Sequence, residues 1–169
     1  LRGGIVGHVA FGDPVSPVLA GVLAEASKAA GATTHVGGTY VCMEGPAFST
    51  RAESELYRSW GASVVGMTNL PEAKLAREAE IAYATVALAT DYDCWHPGHE
   101  NVSVEAVIAT LNANVALAKQ IIVEAAARVP EGVDPAVDGA ARYAVMTRRD
   151  MIPAERLEAL EPIVGRYLR

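Results

Sequence analysis

Ile81–Trp95, IAYATVALATDYDCW, is the stretch on which the reading of this chain turns. It begins as an apolar run rich in alanine and valine, bounded by polar residues, which is the pattern of a strand buried on both faces of a sheet. At its C-terminal end the character changes abruptly to Thr90-Asp91-Tyr92-Asp93. In open α/β sheets ligands bind just outside the carboxyl ends of the strands, so Asp91 and Asp93 are placed to meet one. The plainer alternative, that both aspartates only form and cap a loop, stays open on spacing alone.

On either side the chain alternates between strand and helix patterns. Upstream, Asn69-Leu70-Pro71-Glu72 opens a helix running to about Glu80, and Ala62–Met67 before it is a short apolar strand. Thr50 and Glu53 match the capping box S/T-x-x-E at the start of a helix that ends at Gly61. Glu44–Thr50 must be a loop, because Gly45-Pro46 continues neither strand nor helix. Thr33–Met43 carries β-branched and aromatic residues and reads as a strand, with Gly37-Gly38 marking a bulge or a close backbone approach. A helix over Ser16–Ala30 has Pro17 in its first turn, Gly31 at its end and Val18, Val22, Leu23 and Ala26 on its apolar side. Ile5–Phe11 is a further short strand.

Downstream, Ser103 caps a long helix reaching about Val129, with Val104, Val107, Leu111, Val115 and Ile122 as its apolar face. Val137–Met146 and Pro153–Leu168 read as closing helices. The alternation from Ile5 to Val129 predicts an α/β fold with a mostly parallel sheet flanked by helices.

The totals bound the class of protein. A length of 169 residues with 51% hydrophobic and 20% charged residues is that of one well-cored domain. A net charge of -6 argues against a general nucleic-acid or anionic-membrane surface. Cys42 and Cys94 make no disulfide framework and suit a reducing cytoplasm. No apolar run is expected to cross a bilayer, and no charged leader precedes an apolar core. The opening Leu1-Arg2-Gly3-Gly4-Ile5 reads as a chain entered in its middle.

Three loops fall at predicted strand ends: Glu44–Thr50, Met67–Asn69 and Thr90–Asp93. Parallel strands would bring them to one edge, where they offer an aromatic face (Phe48), a flexible apolar side chain (Met67), hydroxyls (Ser49, Thr68, Thr90) and two carboxylates. That set suits a flat, nitrogen-rich ligand, although each residue alone also fits a structural place. Cys94, His96 and His99 beside the aspartates have zinc-compatible types but not a zinc-ligand spacing, so no metal is expected. No phosphate-binding or dinucleotide glycine motif is present, and Ser49 and Ser103 lack a histidine partner and read as caps.

The stretches GGTYVCMEGPAFSTRAES, GMTNLPEAKLARE and ATDYDCW closely resemble three consecutive signatures of the methylthioadenosine phosphorylases, members of the trimeric purine nucleoside phosphorylase superfamily. The similarity runs nearly continuously from His8 to about Val129. It implies a purine nucleoside phosphorylase-like fold, incomplete at the N-terminus, with residues 1–169 as the C-terminal portion of a single domain. It also implies phosphorolysis of 5′-methylthioadenosine to adenine and 5-methylthioribose 1-phosphate, a reaction of purine and methionine salvage. Inorganic phosphate is then the co-substrate, no cofactor is required, and the enzyme is a cytoplasmic homotrimer.

By position, the resemblance places Phe48 against the purine, Met67 against the ribose and Thr68 on phosphate. Asp91 and Asp93 become the catalytic pair at purine N7 and the 6-amino edge, and Val104 and Val107 the wall around the methylthio group. His8 resembles a histidine reaching into a neighbouring subunit's site. Relatives acting on 6-oxopurines carry glutamate and asparagine where Ser49 and Asp91 stand, so the resemblance favours a 6-aminopurine. The first-strand loop and the Arg-His pair that grip phosphate in the family have no counterpart here. Three other readings remain open: phosphorolysis of another nucleoside such as methylthioinosine, a hydrolytic nucleosidase, and a non-catalytic purine-binding module.

Overall fold

The computed structural model describes residues 4–97 and 104–168. Its helices are α1 (Pro17–Ala29), α2 (Arg51–Ser59), α3 (Asn69–Glu78), α4 (Val104–Ala126) and α5 (Ala154–Val164), and its strands are β1 (Tyr40–Cys42) and β2 (Val64–Gly66). Short 3-10 turns cover Arg149–Met151 and Gly165–Tyr167. The chain forms two compact units, one of Leu1–Leu19, Pro71–Ala84 and Glu131–Arg169, the other of Ala20–Leu70 and Thr85–Pro130.

The second unit contains the sheet. β1 and β2 are parallel, with Tyr40 opposite Val64, Val41 opposite Val65 and Cys42 opposite Gly66. Met43 N extends the ladder by donating to Gly66 O at 2.8 Å. The Tyr40 side chain lies across Gly66, where any Cβ would collide with its hydroxyl. In the same unit α1 packs on α4: Ala26, Ile121 and Ala125 are buried, with Val22, Leu23, Ala30, Ala32 and Leu117 around them. The two alanines allow a close helix approach.

In the first unit, Ala141, Ala144 and Val164 form the core with Val9, Leu160, Ile163 and Tyr167. Ser16 caps α1, its Oγ accepting from Leu19 N at 3.0 Å while donating to Asp134. Arg77 is buried and donates to the carbonyls of Ala10 and Asp13. Glu80 adopts φ +56°, a left-handed conformation that costs a non-glycine residue about 1–3 kcal/mol. Its buried carboxylate is tied down on every side. It accepts from Ala141 N at 2.7 Å and from the Tyr167 hydroxyl at 2.8 Å, and it pairs with Arg166.

Four expectations need correction. The Ile81–Thr90 run is not part of a ladder among the described residues, and Ile81 and Val86 are exposed. A strand exists only when a neighbour supplies its hydrogen-bond partners, which apolar content cannot guarantee. Ile5–Phe11 likewise makes a single antiparallel bridge, Gly7 to Val145. Val137–Met146 is a chain of turns rather than a helix, closed by i to i+3 bonds such as Ala140 N to Val137 O and Ala144 N to Ala141 O.

The fourth concerns α4. Its buried side is Ile121 and Ala125, whereas Leu111, Val115 and Ile122 of the expected face are exposed. Apolar residues recur on more than one side of this helix, so periodicity offers two stripes and tertiary packing selects one. Its Glu105–Ala126 segment is also long and apolar enough to cross a membrane by length and composition, contrary to expectation.

The capping box at α2 is formed in full. Glu53 N donates to Thr50 Oγ1 at 3.2 Å and Thr50 N donates to the Glu53 carboxylate at 2.7 Å. The Thr50 backbone N–H, and secondarily its hydroxyl, hold the Glu53 carboxyl below its usual range. With the folded pKa lowered, this contribution is present above the ordinary carboxylate pKa and is lost as pH falls through the folded value. Glu53→Gln is therefore expected to be less stable than the parent near pH 7, with the gap closing below about pH 4. Denaturant titrations at both ends measure this, and a gap independent of pH refutes the charged box.

Candidate active site

Because β1 and β2 are parallel, the loops leaving their C-terminal ends emerge on the same edge of the sheet. The loop after β1 contains Gly45, at φ +67°, and a cis Gly45–Pro46 peptide. The bend after β2 holds Met67 and Thr68 and leads straight into α3. The two loops touch: a Cβ built on Gly45 would fall 2.5 Å from Met67 Sδ. Further along the first loop, Phe48 is 82% exposed, Ser49 Oγ donates to Met43 Sδ at 3.2 Å, and Thr50 begins the α2 cap.

The third loop follows the Ile81–Thr90 segment, which is anchored near its end by Asn114 Nδ2 of α4 donating to Ala89 O at 2.9 Å. Thr90 Oγ1 donates to Asp91 Oδ2 at 2.9 Å. Asp93 accepts twice, through Oδ1 from Cys94 N at 2.7 Å and through its carbonyl from His96 N at 3.0 Å, which closes a tight turn. Cys94 Sγ then donates to Ser49 O at 3.5 Å, joining this loop to the first. The Glu44–Thr50 loop thus stands between the other two.

Among the expected site residues, Phe48, Met67, Asp91 and Asp93 lie on these joined loops. Thr68 is exposed directly before α3. Val107 is half-buried in the first turn of α4, one position after the helix's opening residues, and Val104 is the first residue of that helix. His8 belongs to the other compact unit, where it is exposed and its backbone N–H donates to Ala144 O at 2.8 Å. His99 and Ser103 lie outside the described residues. Among the described residues no group of three histidine, cysteine or acidic side chains could hold a metal.

Sequence reasoning missed the residues that join the loops. Cys94 ties its loop to Ser49, and Arg58 of α2 lies over the Trp95 ring. The only hint was the placement of Cys94-Trp95 directly after the paired aspartates.

Gly45 combines a left-handed backbone with no room for a side chain, so both causes act against Gly45→Ala. A loss of about 1–3 kcal/mol is expected on denaturant unfolding. Met67→Ala in the same chain should recover the steric part and make the pair less than additive. Strict additivity would separate the two loops.

These features match known proteins. The family profile described as the phosphorylase superfamily matches residues 2–127. The chain is 58% identical to an S-methyl-5′-thioadenosine phosphorylase of Geobacter sulfurreducens over 98% of its own length and 58% of that protein's. It is 56% identical to the protein of the same name from Chloroflexus aurantiacus, over 98% and 58%. Among solved structures, a methylthioadenosine phosphorylase from an antarctic soil metagenomic library superposes with a TM-score of 0.86 at 43% identity, covering 96% of this chain and 58% of that one. A methylthioadenosine phosphorylase from Schistosoma mansoni in complex with adenine gives 0.75 at 30% identity, over 86% and 57%. The chain therefore spans less than two thirds of the length of these relatives. Its α/β architecture is that of the nucleoside phosphorylases, and the chain belongs to the phosphorylase superfamily.

Proposed function

We propose that this chain carries the purine and ribose side of the active site of a methylthioadenosine phosphorylase, a pentosyltransferase. The reaction breaks the bond from C1′ of 5′-methylthioadenosine to adenine N9 and forms one from C1′ to a phosphate oxygen. Adenine and 5-methylthioribose 1-phosphate result. The names of relatives at 56% and 58% identity support the reaction. The structural observation that carries it is the joining of three loops, with Met67 against Gly45 and Cys94 against Ser49, which ties together the loops that bear Phe48, Met67, Asp91 and Asp93.

In this reading Phe48 covers the purine and Met67 the ribose. Adenine leaves poorly as an anion, so Asp91 delivers a proton to N7, the task of a general acid, while Asp93 accepts from the 6-amino group. Each carboxyl uses one oxygen in the hydrogen bonds of its own loop, Asp91 to Thr90 and Asp93 to Cys94 N. The ribosyl group becomes cationic as the bond breaks, and phosphate beside Thr68 stabilises and then captures it. Thr68 adjoins the N-terminal end of α3, whose dipole favours an anion. Phosphate enters as co-substrate, with no cofactor.

The complete enzyme also requires the part of the fold that this chain does not span, which supplies ladder partners to Ile81–Thr90 and further phosphate ligands. It assembles as a homotrimer in which His8 reaches a neighbour's 5′ end. The lack of ladder partners for Ile81–Thr90 among the described residues favours a second outcome for the 169 residues alone, purine binding without turnover. A hydrolytic nucleosidase is separated by whether adenine release needs phosphate.

In a polypeptide of full family length, Asp91→Asn is expected to lower turnover on methylthioadenosine by about two to four orders of magnitude. Parent-like steady-state rates in that variant would remove Asp91 from the reaction. Val104 and Val107 stand one helical turn apart, and their apolar wall is expected to favour a 5′-methylthio over a 5′-hydroxyl group by about 10–200-fold in kcat/KM. Equal values for adenosine and methylthioadenosine count against that wall.

A further inference from the structure

We infer that Arg58 is a positioning residue for the Asp91–Asp93 loop and acts through Trp95; the inference rests on the purine-binding reading above. Arg58 lies in the last turn of α2 and its guanidinium carbon sits 3.6 Å from the centroid of the Trp95 ring. That is well inside the range in which a cation is drawn to an indole face, and the planar guanidinium stacks there as well. Trp95 is packed edge-on against Tyr92 at 6.2 Å and against His96 at 5.3 Å, and Tyr92 and His96 stack at 4.8 Å. Tyr92 stands between the two site aspartates, so fixing Trp95 fixes the backbone that carries both carboxyls.

The other end of this lever is equally firm. α2 begins at the Thr50–Glu53 capping box, directly after Phe48 and Ser49, so the helix bearing Arg58 is continuous with the loop expected to cover the purine. The aspartate loop is therefore held to that loop twice, by Cys94 Sγ on Ser49 O and by Arg58 over Trp95. A thiol at 3.5 Å is a weak donor, which leaves the cation–aromatic contact as the stronger tie. The effect of Arg58 on a ligand is thus inferred to run through Trp95.

The test uses a Trp60→Phe background, in which Trp95 is the sole tryptophan of the chain. Acrylamide quenching of Trp95 and calorimetric titration with adenine are measured for the parent, Arg58→Lys and Arg58→Met. Arg58→Met keeps the apolar stem without the charge. It is expected to make Trp95 more accessible to quencher and to weaken adenine binding by about 3- to 30-fold. Arg58→Lys, which keeps the cation but not the planar group that stacks on the indole, should restore part of both, whereas a role confined to helix stability would move the thermal midpoint and leave quenching alone. Should Arg58→Met fail to fold, Arg58→Gln is read in the same way. A parent that binds adenine beside an Arg58→Met variant with unchanged affinity or unchanged quenching overturns the positioning role alone. A parent that does not bind adenine overturns purine binding by this chain on its own and the positioning role with it, while the full-length reaction is decided by the Asp91→Asn test.

Discussion

The candidate site depends on three residue pairs of one parallel ladder, Tyr40 with Val64, Val41 with Val65 and Cys42 with Gly66. Parallel strands need a crossover, here through α2, and they deliver both outgoing loops to the same edge. An antiparallel pairing would have sent Phe48 and Met67 to opposite ends of the sheet. Two glycines make the close approach possible. Gly66 leaves room for the Tyr40 ring, and Gly45 lets the first loop fold against Met67 in a backbone conformation that side chains disfavour.

Away from that edge, cohesion rests on small residues and on satisfied polar groups. Ala26 and Ala125 allow α1 and α4 to meet over Ile121, and Glu80 accepts a strained backbone because its buried carboxylate is fully engaged by Ala141, Tyr167 and Arg166. Apolar surface remains uncovered at the same time, with Ile108, Leu111, Val115 and Ile122 exposed along α4 and Ile81 exposed at the start of the aspartate-bearing segment. Such surface normally marks a place where further protein packs. It agrees with a chain that spans 58% of the length of its relatives.

The proposed chemistry would need carboxyls whose positions are set before the ligand arrives. Here Thr90 and the Cys94 N–H orient Asp91 and Asp93 by local hydrogen bonds, while Ser49 and Arg58 hold the loop from outside. Solved relatives at 43% and 30% identity retain the architecture with TM-scores of 0.86 and 0.75. The scaffold is thus specified by its pattern of elements more than by particular core identities.

What the sequence determined by itself was local. Pro17, the Thr50–Glu53 box and Asn69-Leu70-Pro71 mark helix starts that the structure reproduces within a residue or two, because caps and proline act through near neighbours. The loops bearing Phe48, Met67, Asp91 and Asp93 were legible for the same reason, since glycine, proline and abrupt polarity changes end elements wherever they occur. Tertiary structure alone decided three matters: that Ile81–Thr90 stays outside a ladder among the described residues, that α4 buries Ile121 rather than Ile122, and that Cys94 and Trp95 tie loops together. Strand pairing, the choice between two apolar stripes and cross-loop contacts all depend on partners distant in sequence, and no property of a residue's own neighbourhood encodes which partner will be there.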